Sequence, residues 1–210
     1  MKCVFLHGLG QTAQSWHFVT KHLNKEFDAY CWDLKQESAE QPVSYQGLYH
    51  TVQEKCQTIS EPFVLCGLSL GAVLALQYVM EHPETISHLV LIAAQYKMPK
   101  TLLKLQNIVF RFLPNRFFAE TGFEKEELIQ LTCSMMELDF EATLTQIQCP
   151  VLVVCGEKDA ANKKAAKQLE QKLPKAKLIW IKDAGHEVNL SHPQELAKAI
   201  SDFCCKQKIK

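Results

Sequence analysis

Six short, almost wholly apolar runs alternate along the chain with stretches of helical periodicity. That alternation constrains the fold more than any other feature. The runs are residues 2–6 (KCVFL), 27–32 (FDAYCW), 62–66 (PFVLC), 87–93 (SHLVLIA), 150–155 (PVLVVC) and 176–181 (AKLIWI). Several are continuous rather than alternating, the pattern of strands covered on both faces. Between them, residues 13–24 place Trp16, Val19 and Leu23 on one helical face. Residues 44–58 place Leu48, Val52 and Cys56 at i, i+4, i+8, with Ser44 as candidate N-cap. Residues 70–82, 161–172 and 193–206 complete the set. The pattern predicts an α/β fold: a mostly parallel sheet of about six strands with helices on both faces.

One stretch breaks the rhythm. Residues 94–148 hold no convincing strand, but show helical patterns near 99–113 and 124–137 and a shorter one near 139–146. The expected organisation is a core of residues 1–93 and 149–210 with a helical insert, or cap, at 94–148. Residues 97–119 carry Lys97, Lys100, Lys104, Arg111 and Arg116 and no acid. Residues 120–141 carry Glu120, Glu124, Glu126, Glu127, Glu137, Asp139 and Glu141 against Lys125. The two helices are expected to face one another. Phe110, Phe112, Phe117, Phe118 and Phe123, with Leu102, Leu103, Leu105, Ile108 and Val109, read as the insert's own core, some of them lining a pocket. Met135 and Met136 read as core filling, with a plastic pocket wall as the alternative. Contact with an anionic membrane surface is a second use for the basic helix near 97–116.

Composition removes several classes. With 23 basic and 23 acidic residues among 210, the net charge is zero, which argues against broad nucleic-acid binding. No apolar run reaches the roughly 18 residues of a membrane span, and residues 3–6 are no signal-peptide core, so a cytoplasmic protein is expected. The nine cysteines (3, 31, 56, 66, 133, 149, 155, 204 and 205) are odd in number and form no Cys-x-x-Cys pair. They read as reduced thiols, mostly buried, with Cys204 and Cys205 least clear. No metal or cofactor is implied.

Chemistry concentrates in four short motifs. Gly67-Leu68-Ser69-Leu70-Gly71 lies between the third run and the helix after it. A serine on a sharp strand-to-helix turn holds a strained backbone, and its flanks must lack Cβ for strand and helix to approach. By composition alone such a match is expected roughly 0.01 times in this chain. A glycine-flanked N-cap serine is the bland alternative. A serine hydroxyl needs a base and an orienting acid. His186 follows the sixth run in Asp183-Ala184-Gly185-His186. Asp159 follows the fifth in Gly156-Glu157-Lys158-Asp159, with Glu157 and then Asp183 as rivals. His7-Gly8-Leu9-Gly10 follows the first run. There the Leu9 N–H, with the Leu70 N–H, is the candidate pair of oxyanion donors, and His7 reads as a structural hydrogen-bonder. Six of the eight glycines (8, 10, 67, 71, 156 and 185) fall in these motifs.

Together the motifs resemble the α/β-hydrolase superfamily, particularly small carboxylesterase-like serine hydrolases, over residues 2 to about 205. The resemblance implies Ser69 as nucleophile, His186 as base, Asp159 as orienting acid, and a cap between the fourth and fifth strands. Two departures stand out. The antiparallel hairpin that often precedes the His-Gly strand is missing. Where the family often has a glycine-rich Asp-x-Pro-Gly-x-Gly turn, this chain reads Asp33-Leu34-Lys35-Gln36-Glu37-Ser38. The implied activity is hydrolysis of a small or medium carboxylic ester through an acyl-enzyme. Thioesterase, acyltransferase, carbon–carbon hydrolase and lyase chemistries share the constellation, and a non-catalytic ligand-binding module is a further alternative. The expected partner is a small-molecule ester or acyl substrate, without nucleic acid or integral membrane segment. Oligomeric state is not indicated.

Overall fold

Side chains along a strand point alternately to opposite faces, so a run apolar at every position feeds two cores at once. The four inner strands use this. Val4 and Leu6, Leu65, Leu89 and Leu91, and Val151 and Val153 belong to one buried cluster. Their neighbours Cys3 and Phe5, Val64 and Cys66, Val90 and Ile92, and Leu152 and Val154 belong to another. In the computed structural model, which describes residues 1–35, 43–118 and 123–206, these runs form strands. They are β1 (Lys2–Leu6), β2 (Asp28–Trp32), β3 (Phe63–Leu68), β4 (Ile86–Ile92), β5 (Val151–Gly156) and β6 (Ala176–Ile181). All pair in parallel, in the order β2-β1-β3-β4-β5-β6.

Helices cover both faces. The first cluster packs under α2 (Tyr45–Gln57), α3 (Leu70–Glu81) and α6 (Lys163–Lys172). The second packs under α1 (His17–His22) and α8 (Pro193–Lys206), which touch each other. Ser44 caps α2 as expected, accepting the Gly47 N–H at 3.1 Å. The expected helix over 13–24 is instead a 3-10 turn, Ala13–Trp16, followed by α1. Trp16, Val19 and Leu23 still face the core, because their spacing suits either form. A four-residue helix, α7 (Val188–Ser191), was not foreseen.

Between β4 and β5 lie α4 (Lys100–Phe112) and α5 (Lys125–Met135), which pack against each other. The short pattern near 139–146 is a single 3-10 turn, Leu144–Gln146. The expected charge complementarity is realised around the helix ends by Lys100–Glu137 at 2.5 Å and Lys97–Asp139 at 2.7 Å. Buried Asn107 of α4 accepts from the Thr132 hydroxyl of α5. Leu103 and Phe110 turn inward, while Leu105, Ile108, Val109 and Phe112 are exposed. Phe118 and Phe123 are buried, and Met136 is only half-buried. Glu120, residues 36–38 of the loop after β2, and the side chains of Leu102 and Phe117 lie outside the described residues. No helix among the described residues is long and apolar enough to cross a membrane. All the cysteines are free thiols. Cys204 is buried and Cys205 half-buried.

Backbones pack very closely where β1, β3 and α3 meet. A Cβ on Gly67 would sit 2.2 Å from the Gly71 carbonyl oxygen, and one on Gly71 would sit 2.2 Å from the Leu6 carbonyl oxygen. Both obstacles are backbone and cannot swing aside. A Cβ on Gly185 would meet nothing within 4 Å. Gly71→Ala is therefore expected to destabilise the chain by about 3 kcal/mol or more. Gly185→Ala is expected to stay within about 0.5 kcal/mol. Urea-unfolding midpoints of the two variants check the contrast.

Candidate active site

Open parallel sheets form a crevice at the carboxyl edge, where neighbouring loops diverge. Here β1 lies between β2 and β3, so the loops after β1 and β3 leave the edge in different directions. Ser69 stands at that point with φ 51° and ψ −109°, a conformation strained for any residue with a side chain. It stands at the N-cap position of α3, yet its hydroxyl makes no capping bond to the helix. Its own N–H donates to the Ile92 carbonyl at 2.9 Å, and its carbonyl accepts from Ala72 and Val73. The β3–β4 ladder thus runs one residue past the strand and fixes Ser69 before the helix begins.

The same stitching recurs along the edge. Ala93 N–H donates to Val154 O at 2.9 Å, Glu157 N–H to Ile181 O at 3.0 Å, and Lys158 N–H to Ala184 O at 2.8 Å. These bonds shape the loop that carries Asp159. Its carboxylate is 4% exposed and its Oδ2 accepts from His186 Nδ1 at 2.9 Å. Glu157 is exposed, and Asp183 turns away to an ion pair with Lys158 at 2.9 Å. Of the three candidate acids, the structure brings only Asp159 to His186. Burial pushes the Asp159 carboxyl up. Hydrogen bonds from His186 and Asn162 outweigh burial and hold it below its ordinary value, so it stays ionised.

Ser69, His186, Asp159, Leu9 and Leu70 line one cavity of about 310 Å³. The Leu70 N–H is in the first turn of α3, where it has no helical partner, and the Leu9 N–H follows Gly8 on the opposite loop. A Cβ on Gly8 would lie 3.6 Å from that of Ser69, which measures how closely the two loops approach. Other lining residues come from the inter-strand helices: Leu103 and Gln106 of α4, and Thr132 and Met135 of α5. His186 is 44% exposed beside this opening. No group of three or more metal-ligating side chains occurs among the described residues.

With this geometry in view, comparison with known proteins is informative. Residues 3–199 match the profile of the Alpha/beta hydrolase family. The chain belongs to this family. A pimeloyl-[acyl-carrier protein] methyl ester esterase of Nitrosomonas europaea is 24% identical over 94% of this chain and 93% of that protein. A protein of the same name from Aeromonas hydrophila is also 24% identical, over 95% and 94%. Among solved structures, the enol-lactonase of Burkholderia xenovorans superposes with a TM-score of 0.84 at 18% identity, over 97% of this chain and 91% of that one. That likeness establishes the fold. The chain is an enzyme of the α/β-hydrolase fold, with an all-parallel six-stranded sheet.

In this hydrolase His7 does not line the cavity. It is 2% exposed; its Nδ1 donates to Gly8 O at 2.8 Å, and its Nε2 accepts from Leu34 N–H at 3.1 Å. It ties the loop after β1 to the loop after β2. Asp33 makes a second tie, accepting from Ala13 N–H at 2.7 Å. Two functional neighbours carry no sequence signal. Asn162 bridges Asp159 from the residue before α6, a place where an Asn reads as a helix cap. Gln11 pairs reciprocally with Asn189, at 3.1 and 3.4 Å, and joins the Leu9 loop to the chain after His186.

Burial lowers the His7 pKa, so the folded state holds a neutral ring there. Between that lowered value and the unfolded value near 6.5 the unfolded chain binds more protons, and stability rises with pH. The contribution is complete above about 6.5 and is lost as pH falls below it. His7→Leu leaves the buried Leu34 N–H unpaired, while the Gly8 carbonyl keeps the Gln11 N–H, and is expected to cost about 1–3 kcal/mol at pH 7.5. The gap between wild type and variant should narrow at pH 5. Urea titrations at the two pH values measure it.

Proposed function

We propose that this hydrolase cleaves small or medium, uncharged carboxylic esters through an acyl-enzyme on Ser69. The observation that carries the reading is the single cavity wall that gathers the strained Ser69, the Asp159-bound His186 and the two loop amides. Because Asp159 is ionised and accepts from Nδ1, the neutral ring presents a bare Nε2 as base. Ser69 Oγ attacks the ester carbonyl as His186 takes its proton. The N–H groups of Leu9 and Leu70 bind the oxyanion. The imidazolium then protonates the departing alcohol, and water repeats the cycle on the acyl-enzyme. Residues 94–148 act as the cap that shapes the acyl pocket through Leu103, Gln106, Thr132 and Met135.

The cavity's chemistry narrows the substrate. Its volume is at the small end of ligand sites. Its walls are mainly apolar (Leu9, Leu70, Val73, Met98, Leu103, Met135), and among the described residues the ionisable lining groups are Asp159 and His186. A carboxylate on the acyl chain would meet no cation and would face the Asp159 charge. The esterase names of the relatives, which describe a methyl ester of an acyl group, support an ester of this kind.

Intact mass after fluorophosphonate treatment tests the nucleophile. One adduct is expected on wild type and none on Ser69→Ala; an equal adduct on both would sink the mechanism. The same Ser69→Ala change is expected to lower kcat by several orders of magnitude. For the acyl group, methyl hexanoate is expected to exceed the half-ester monomethyl adipate by about tenfold or more in kcat/KM. Equal rates would mean that an unseen cation serves the pocket.

A further inference from the structure

Beside the Asp159–His186 pair runs a chain of side-chain amides whose direction is fixed from one end. Gln95 Nε2 lies 3.2 Å from the Ala161 carbonyl oxygen and 2.8 Å from Asn162 Oδ1. A main-chain carbonyl only accepts, so the nitrogen side of the Gln95 amide must face it. The same NH2 group then donates to Asn162, which turns the Asn162 carbonyl toward Gln95 and its NH2 toward Asp159. There Asn162 Nδ2 lies 3.0 Å from Asp159 Oδ1 and 2.8 Å from Oδ2. It also lies 3.1 Å from His186 Nδ1.

That last contact gives the arrangement its consequence. With its proton on Nδ1, His186 donates to Asp159, and Asn162 donates to the carboxylate alone. With its proton on Nε2, His186 would present a bare Nδ1 to Asp159, while the Asn162 NH2 could serve it instead. A half turn of the Asn162 amide would set its carbonyl against the carboxylate and repel it. The two nearby amides therefore decide how strongly Asp159 is satisfied, and through it which imidazole nitrogen carries the proton.

We propose that Asn162 and Gln95 are positioning residues for the esterase reaction, an amide relay anchored on the Ala161 carbonyl that orients Asp159 and sets the tautomer and basicity of His186. The proposal rests on the esterase reading for its kinetic meaning, though its central measurement does not need turnover. Gln95 adds a link to substrate. It lines the cavity, on the segment leaving β4 toward the cap, so an occupant touching it bears on the same relay.

The other titratable groups near the pair are few. Cys155 of β5 lies beneath Asp159, its thiol pushed up to about 12 by burial. Glu157 and Lys158 share the Asp159 loop, and Lys158 is held by Asp183. Lys163 begins α6. Glu187 adjoins His186, and its carboxylate accepts from Gln11 Nε2 at 3.1 Å. Ser69 and the facing residues of α3, α4 and α5 (Leu70, Val73, Leu103, Gln106, Thr132, Met135) carry no group that titrates in the working range.

The test is an NMR titration of the His186 ring in the full chain, for wild type, Asn162→Leu, Gln95→Glu and Gln95→Leu. Removing the Asn162 donors leaves the Asp159 charge less neutralised, so His186 holds its proton more tightly. Its titration is expected to rise by about half a pH unit or more in Asn162→Leu. Gln95→Glu keeps the shape but cannot donate to Ala161 or Asn162, and should move the titration the same way. Gln95→Leu separates loss of the donors from the added charge, and should show a smaller rise. Should Asn162→Leu fail to fold, the two Gln95 variants on the cavity wall carry the test.

A His186 titration unmoved within about 0.2 pH unit in the folded variants would overturn the relay. The acid limb of kcat/KM for p-nitrophenyl butyrate, with Ser69→Ala alongside, separates the two readings. Serine-dependent hydrolysis with an unmoved limb defeats the relay alone. A moved titration without serine-dependent hydrolysis defeats the esterase reading and keeps the relay.

Discussion

The site depends on the close approach of three backbones: the end of β1, the turn after β3 and the first turn of α3. Gly71 lies against the Leu6 carbonyl, and Gly67 against Gly71, with no room for a single carbon. This contact forces Ser69 into a positive-φ conformation that no alanine or leucine would choose freely. The strain is held by a ladder bond to Ile92 on one side and the helix bonds to Ala72 and Val73 on the other. Once the elbow is closed, the Leu70 N–H at the start of α3 and the loop after β1 are brought beside Ser69. Candidate nucleophile and candidate oxyanion donors are thus one packing solution rather than separate acquisitions.

The candidate base, His186, arrives from the other half of the sheet by similar means. β5 and β6 end one after the other along the edge, and their loops are stitched by main-chain bonds to the neighbouring strand. Those bonds decide which acid is presented. Glu157 is exposed, Lys158 reaches out to Asp183, and Asp159 turns inward beneath His186. A buried carboxylate would ordinarily take up a proton. Here the donors of His186 and Asn162 keep it ionised, which is why a nearly buried acid can still hold an imidazole by charge.

Much of this was legible in sequence because the relevant physics is local. Short apolar runs that alternate with helical periodicity read as strands, and all six exist. The Gly67–Gly71 spacing reads as an elbow because the steric need is short-range. Sequence puts Asp159 ahead of its rival Glu157, but with both in one loop it does not show which carboxylate turns inward. The choice is tied to the bond from Lys158 N–H to the Ala184 carbonyl, in the loop after β6 more than twenty residues away. Asn162 and Gln95 were invisible for a related reason. One occupies a position where asparagine caps helices, the other a segment without periodicity, and their partners meet only in the folded chain. The 3-10 turn before α1 escaped because apolar spacing does not distinguish it from a first helical turn.

The segment between β4 and β5 shows how far a local pattern reaches. Its charge segregation did forecast contact between the two halves, realised as ion pairs of Lys97 and Lys100 with Asp139 and Glu137. Those pairs are exposed and contribute little to stability. The buried tie is between Asn107 and Thr132, polar residues that a hydrophobic pattern would call defects. Placing a satisfied polar contact between α4 and α5 fixes how the helices face each other while leaving Leu103 and Met135 to the cavity. Specific orientation here comes from the polar pair, and apolar volume for a substrate comes from what that pair leaves uncovered.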